Sequence, residues 1–271
     1  MRWLRSRLVL ILGIAVLVYT FIPIFVVVLM SFNKLPGEQS KIYKFYSFTF
    51  DNWLHPCSDP LMCQALGRSI EIGLLATLGA TILGTLAAFA LVRHDFHGRS
   101  STNVLIFLPM AAPEIVMGSS LLALFVAAGL AGQLGFWTIL IAHIMFCLSF
   151  VVVTVRARLA GLSDNLEQAA MDLYATPAQT FRRVTFPLVF PGILGAALLS
   201  FSLSFDDFII TNLNAGNTTT FPMYVWGVAQ RGVPMQVNVV GTVMFLIALL
   251  IVLGAEANRR RTERLNRPTA A

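Results

Sequence analysis

The chain has 271 residues, 57% of them hydrophobic and 12% charged, with a formal net charge of +6 at pH 7. Its mean hydropathy is +0.77, and long runs with few charges read as membrane spans, so the positive balance is a topology signal and nucleic acid is not an expected partner. The three lysines, Lys34, Lys41 and Lys44, end no glycine-rich loop, which excludes a phosphate-cradling nucleotide site, and nothing resembles a nucleophile elbow or a zinc cluster.

Arg2, Arg5 and Arg7 precede the first apolar run, about 8–31. That run is too long for the core of a secretory signal and meets Pro36 and Gly37 without a small-residue cleavage site, so it reads as a retained helix. A loop of about 32–68 follows, with Tyr43, Tyr46 and Trp53 as headgroup-interface aromatics and a second role in receiving an external partner left open. Cys57 and Cys63 in this loop fit either a local disulfide or two unpaired thiols. The second span, about 69–92, carries Glu71 near its outer end, a candidate for an entrance. The third, about 102–127, contains Pro109 and Pro113; each withholds an N–H from a carbonyl one turn earlier, which opens the helix beside Glu114. In the fourth, about 134–155, His143 reads as a hydrogen-bonding residue of the bundle and Cys147 as a packing residue. With His55, His94 and His97 in loops, no metal constellation assembles.

The fifth span, about 188–213, places Ser200, Ser204, Asp207 and Thr211 on one helical face and Ser202 with Asp206 on another. A carboxylate at membrane depth is tolerated only when it faces protein or water. Asp207 is therefore the first choice for a water-filled path, and Asp206 for an interhelical hydrogen bond or a partner chain; both acids and Glu114 can instead merely satisfy polar groups between helices. The segment of about 214–235 opens with the turn-rich Asn214–Thr220, and Tyr224–Gln230 suggests a short helix bearing Trp226, folded back towards the path. The sixth span is about 236–257. With both termini inside, 14 of the 19 basic residues fall on the cytoplasmic side, namely Arg2, Arg5, Arg7, Arg93, Arg99, Arg156, Arg158, Arg182, Arg183, Arg259, Arg260, Arg261, Arg264 and Arg267. Lys34, Lys41, Lys44, Arg68 and Arg231 remain outside, and this bias predicts six spans, N-in and C-in.

Between spans four and five lies a polar helical segment, Ser163–Pro177, within a cytoplasmic loop of about 156–187. Asp164 and Glu167 have the spacing of a capping box, and Leu166, Ala169, Ala170 and Leu173 form one small apolar face. Thr176 and Pro177 restart a second helix. The run Gln168-Ala169-Ala170, Tyr174 four residues on, and Phe186-Pro187 resemble the EAA loop of ABC-importer permeases. Two departures stand out: Gln168 replaces the usual Glu, with Glu167 next door to compensate, and Tyr174 replaces a Gly that permits a left-handed turn. Either the turn is built differently or strain is tolerated.

The stretches Tyr19–Asn33, Pro113-Glu114-Ile115-Val116, Leu203-Ser204-Phe205-Asp206-Asp207 and Arg231-Gly232-Val233 are similar to the second permease subunit of spermidine/putrescine importers. The resemblance implies an all-α integral membrane protein of the type I (MetI-like) permease fold, one domain over 1–271, in the bacterial inner or plasma membrane. It implies a coupling helix to an ATPase built on Glu167, Gln168, Ala169, Ala170, Asp172, Leu173, Tyr174 and Pro187, and a substrate path drawing on Asp207, Asp206, Glu114, Ser204 and Trp226. The implied partners are a second permease subunit, a dimer of ATP-binding subunits that carries the ATP and magnesium, an extracytoplasmic polyamine-binding protein and membrane lipid; no cofactor and no enzyme site are expected on this chain. Carboxylates and the faces of Phe201, Phe205, Phe208 and Trp226 suit a flexible polycation. A permease for another small solute, a secondary transporter and a non-transporting scaffold are the alternatives.

Overall fold

A computed structural model of the chain describes residues 2–36, 44–163, 165–230 and 232–265. The predicted interface residue Tyr43, the capping acid Asp164, and Lys41, Arg231 and Arg267 lie outside the described residues. Apart from an isolated antiparallel bridge between Asn33 and Phe48, the regular structure described is helical. Five helices are long and apolar enough to cross a membrane, and a sixth crossing is available if one sharply bent pair counts as a single span.

The elements run α1 (Arg2–Ser31), α2 (Asp51–Leu54), α3 (Pro60–Arg93), α4 (Arg99–Ala111), α5 (Glu114–Ala127), α6 (Phe136–Ala160), α7 (Asn165–Asp172), α8 (Pro177–Thr180), α9 (Phe186–Asp206), α10 (Ile209–Asn214), α11 (Phe221–Ala229) and α12 (Met235–Leu265). A 3-10 turn at Ala131–Gln133 precedes α6, and a five-residue π segment, Phe181–Thr185, joins α8 to α9. Pro187 lacks the N–H that an α-helix would direct at the carbonyl one turn earlier, and the backbone just before it takes the wider π register, with Phe186 N–H donating to the Phe181 carbonyl. The chain forms two compact units, residues 64–224 and the remainder.

In the unit formed by the two ends of the chain, α1 packs on α12 and leaves most of its apolar side chains exposed, an arrangement that needs lipid or a partner to cover it. The loop after α1 is tied down by buried amides. Asn33 Nδ2 donates to the Lys44 carbonyl at 2.9 Å and its Oδ1 accepts from Tyr46 N–H at 2.8 Å. Asn52 Nδ2 donates to the carbonyls of Ser31 and Asn33 at 3.0 and 2.9 Å. Phe32 stacks between Phe48 and Trp53, and Cys57 and Cys63 form a disulfide with Cα atoms 5.6 Å apart.

In the other unit α6 is the core helix, with Ile139, Ala142, Cys147, Val151, Val152 and Val155 fully or almost fully buried. It packs against α9, α4 and α10. Two of the predicted spans are interrupted. The third breaks at Ala112–Pro113, where α4 and α5 meet at 111°. Pro109 is carried inside α4, whereas Pro113 forces Ala112 into extended backbone (φ −75°, ψ 138°) and so ends the helix. The fifth, expected to run unbroken to 213, stops at Asp206; Asp207 is extended, and α10 resumes two residues later. The two second halves, α5 and α10, pack against each other at Gly118, where an added Cβ would lie 2.8 Å from Leu213 Cδ1 and 3.2 Å from Ile210 Cα. Asn214 Nδ2 donates to the Gly118 carbonyl at 3.2 Å and closes the contact.

Candidate functional site

The break in the fifth span is built around one carboxylate. Asp207 Oδ2 accepts from the Thr211 N–H at 2.7 Å and from Thr211 Oγ1 at 2.8 Å, while Oδ1 takes a longer contact of 3.4 Å from the Ile210 N–H. These are orphan donors at the start of α10, so Asp207 caps the restarted helix. His143 of α6 reaches the same place. Its Nε2 lies 2.9 Å from Thr211 Oγ1 and 3.3 Å from Asp207 Oδ2, and its Nδ1 lies 2.7 Å from Ser204 Oγ. Because Thr211 Oγ1 spends its proton on Asp207, it accepts from His143 Nε2. Ser204, Asp207, Thr211 and His143 are all buried, so this is a closed polar network inside an apolar bundle.

That geometry distinguishes the two acids. The residues predicted to share one face, Ser200, Ser204, Asp207 and Thr211, are divided by the break between α9 and α10, and all four are buried. Asp207, expected to line the path, is only 8% exposed, because its oxygens are consumed in capping α10 and holding His143. Asp206, expected in an interhelical bond or a partner contact, is the exposed one and makes no ion pair among the described residues. The signal for the break was in the sequence: an Asp three and four residues ahead of the amides it caps marks a helix start even inside an apolar run. Glu114, the other predicted path acid, is exposed in the first turn of α5. Trp226 is largely exposed on α11, and Glu71 pairs with Arg68 at 2.9 Å.

The second candidate region is the polar segment between α6 and α9. As predicted, it forms two short helices with Thr176 and Pro177 starting the second: Thr176 Oγ1 accepts from Gln179 N–H at 3.3 Å, and Gln179 Oε1 accepts from Thr176 N–H at 3.0 Å. The turn between them settles the question posed by Tyr174. Tyr174 has φ +62° and is the single non-glycine residue at positive φ among those described. Its N–H donates to the Met171 carbonyl at 2.9 Å and that of Ala175 to Ala170 at 3.1 Å, the paired bonds of a Schellman ending that normally uses Gly. The left-handed turn is retained and a tyrosine bears the strain, with 97% of its surface exposed. Gln168, Ala169, Asp172, Leu173 and Pro187 are exposed as well, and Ala170 is half-buried.

Glu167 behaves differently from its neighbours. Its Oε1 accepts from Arg93 Nη2 at 2.7 Å and from Thr185 Oγ1 at 2.7 Å, so it is turned towards the body of the unit and its charge is engaged internally. Phe89 and Phe181 meet edge to face at 5.5 Å beside it, and a cleft of about 340 Å³ opens between these residues and α7. The sequence marks Arg93 as a topology charge alone, since a partner 74 positions away leaves no local pattern.

Residues 80–259 match the model of the family described as binding-protein-dependent transport system inner membrane component. The chain is 35% identical over 245 residues to a spermidine/putrescine transport system permease protein, PotC, of Haemophilus influenzae, covering 90% of this chain and 93% of that one. It is also 35% identical over 264 residues to a putrescine transport system permease protein, PotI, of Escherichia coli, covering 92% of each. Among solved structures it resembles a chain of a bacterial alginate ABC transporter in complex with its pentasaccharide-bound periplasmic protein, with a TM-score of 0.69, 18% identity, and 96% and 95% of the two chains covered. A chain of the MetNI methionine ABC transporter aligns with a TM-score of 0.54 and 16% identity over 76% of this chain and 98% of that one.

Proposed function

Because the chain belongs to the family of binding-protein-dependent transport system inner membrane components, we propose that it forms half of the translocation path of an ATP-driven importer for polyamines. As a permease subunit of this family it is a multi-pass inner-membrane protein, works with a binding protein and partner subunits, and is not itself catalytic. ATP and magnesium belong to a dimer of ATP-binding subunits, a second permease completes the path, and a polyamine-binding protein delivers the substrate from outside. Both termini and the 156–187 loop are cytoplasmic, and the loops of 32–68 and 214–235 are external.

One observation supports the substrate class above the others: Asp206 is an exposed carboxylate at the end of a broken apolar helix, in no ion pair among the described residues. A charge at that depth requires water, a partner or a cation, and an interrupted span beside an acid is a common construction for a substrate path. Asp206, with Glu114 at the other break, supplies the negative charge a polyammonium chain needs. Asp207 holds the break in place. The similarity to spermidine/putrescine and putrescine permeases along nine-tenths of the chain points to the same class. The exposed face of Ala169, Leu173 and Tyr174 is the surface offered to the ATP-binding subunit, and an amphipathic helix seated in a groove is an ordinary means of docking.

The test is uptake of labelled spermidine by cells that lack the gene and carry wild type or Asp206→Asn, with putrescine and uncharged solutes as competitors. Wild type restores uptake, the variant loses it at equal membrane abundance, and only polyamines compete. Competition by an uncharged solute, or no restoration by wild type, would refute the substrate assignment.

A further inference from the structure

We propose that Arg93, Glu167 and Thr185 form a transmission joint that carries movement of the α7 helix into the membrane helices. The inference rests on the reading of α7 as the element driven by an ATP-binding partner, and it assigns positioning residues that the reading itself does not supply. Force applied to α7 has two routes towards α9. One is covalent, through the turn at Leu173–Thr176 into α8, the π segment and α9, which run as one helical stretch from Pro177 to Asp206. That route passes through the hydrogen-bonded turn at Tyr174, so it holds only the C-terminal end of α7.

The second route holds the N-terminal end. Glu167 sits in the first turn of α7, and Oε1 is held at 2.7 Å by Arg93, the last residue of α3, and at 2.7 Å by Thr185, the last residue of the π segment. Three elements therefore meet on one oxygen. The Arg93 and Glu167 side chains are 25% and 23% exposed, so solvent screens the pair only in part, and charge-assisted bonds at this distance are the stronger kind. The edge-to-face contact of Phe89 with Phe181 ties α3 to the π segment one turn away on each. With both ends of α7 fixed, one by the turn and one by the joint, the helix moves as a lever.

Spermidine uptake and ATP hydrolysis are measured together in proteoliposomes holding the whole importer with its binding protein. The ratio of uptake to hydrolysis falls about 2- to 30-fold in Arg93→Ala and in Glu167→Ala, the range expected for loss of one link in a coupling network, while the complex still assembles and hydrolyses ATP. The reversed pair, Arg93→Glu with Glu167→Arg, recovers the ratio to within about twofold. If Glu167 instead acts by touching the ATP-binding subunit, Arg93→Ala is silent and the reversed pair recovers nothing; either result overturns the proposal. Should a single variant fail to assemble, the reversed pair decides: an assembled complex with the wild-type ratio supports the joint, and failure to assemble or a low ratio overturns it. An absence of ATP-dependent uptake by the wild-type complex would count against the importer reading, a result distinct from any of these.

Discussion

Removing the Asp207 carboxylate tests whether the fifth span is held broken by its own side chains. Asp207→Ala strips three good contacts, from Thr211 N–H at 2.7 Å, Thr211 Oγ1 at 2.8 Å and His143 Nε2 at 3.3 Å, and one long one from Ile210 N–H at 3.4 Å. Each buried donor left without an acceptor costs about 1–3 kcal/mol. Such terms do not add fully, and the expected loss of stability is about 2–4 kcal/mol. Asp207→Asn keeps an oxygen for the Thr211 amide and loses about 1–2 kcal/mol. Asp206→Asn, at an exposed site with no ion pair among the described residues, changes stability by less than about 0.5 kcal/mol. Thermal unfolding of the purified complex in detergent ranks the three variants, and spermidine uptake at matched abundance is measured beside it. The expected order of stability is Asp206→Asn, then Asp207→Asn, then Asp207→Ala, with Asp206→Asn nonetheless losing uptake. If Asp207→Ala unfolds with wild type, the network holds nothing, and the assignment of separate roles to the two acids fails with it.

Three further substitutions, one of them a control, address the turn at Tyr174 and the close approach at Gly118. Tyr174→Gly relieves a left-handed residue worth about 1–2 kcal/mol of strain against about 0.4–1 kcal/mol of added chain entropy when unfolded. The complex should melt no lower than wild type, and uptake per ATP should fall if the exposed ring seats in the ATP-binding partner; a lower melting temperature would contradict the strain argument. Gly118→Leu places bulk where even a Cβ meets Ile210 Cα at 3.2 Å, so α5 and α10 separate at a cost of about 1–3 kcal/mol and uptake is lost, whereas Gly67→Ala, with nothing within 4 Å of its Cβ, leaves uptake unchanged.

How much of this was legible in the chain depended on range. That the chain is built on long apolar helices followed from composition, because about twenty apolar residues in a row have few other uses. The break at Pro113 and the restart at Thr176 followed from residues whose backbone chemistry is local. Which face of the fifth span turns inward did not follow. Periodicity groups Ser204 with Asp207 but gives no direction, and the direction is set by His143, 61 positions from Ser204. Likewise Glu167 lies beside the motif positions in sequence yet points away from them, because Arg93 arrives from another helix.

The pairing of the two breaks gives Asp206 its place. A helix that merely ended at Asp206 would leave its last carbonyls and the next amides unsatisfied in an apolar medium, at a cost of several kcal/mol each. The chain avoids this by spending Asp207 on the amides of α10, fixing that acid with His143, and seating α10 against α5, itself freed by Pro113. On the proposed function Asp207 is spent in making the break, and Asp206, the last residue of α9, is the acid left exposed. Two adjacent carboxylates are therefore not redundant: the break consumes one, and its geometry presents the other. Exchange of Asp207 for Ser, a competent cap without charge, should for this reason preserve uptake better than exchange of Asp206 for the same residue, and the reverse order in matched uptake assays would break the link between the two.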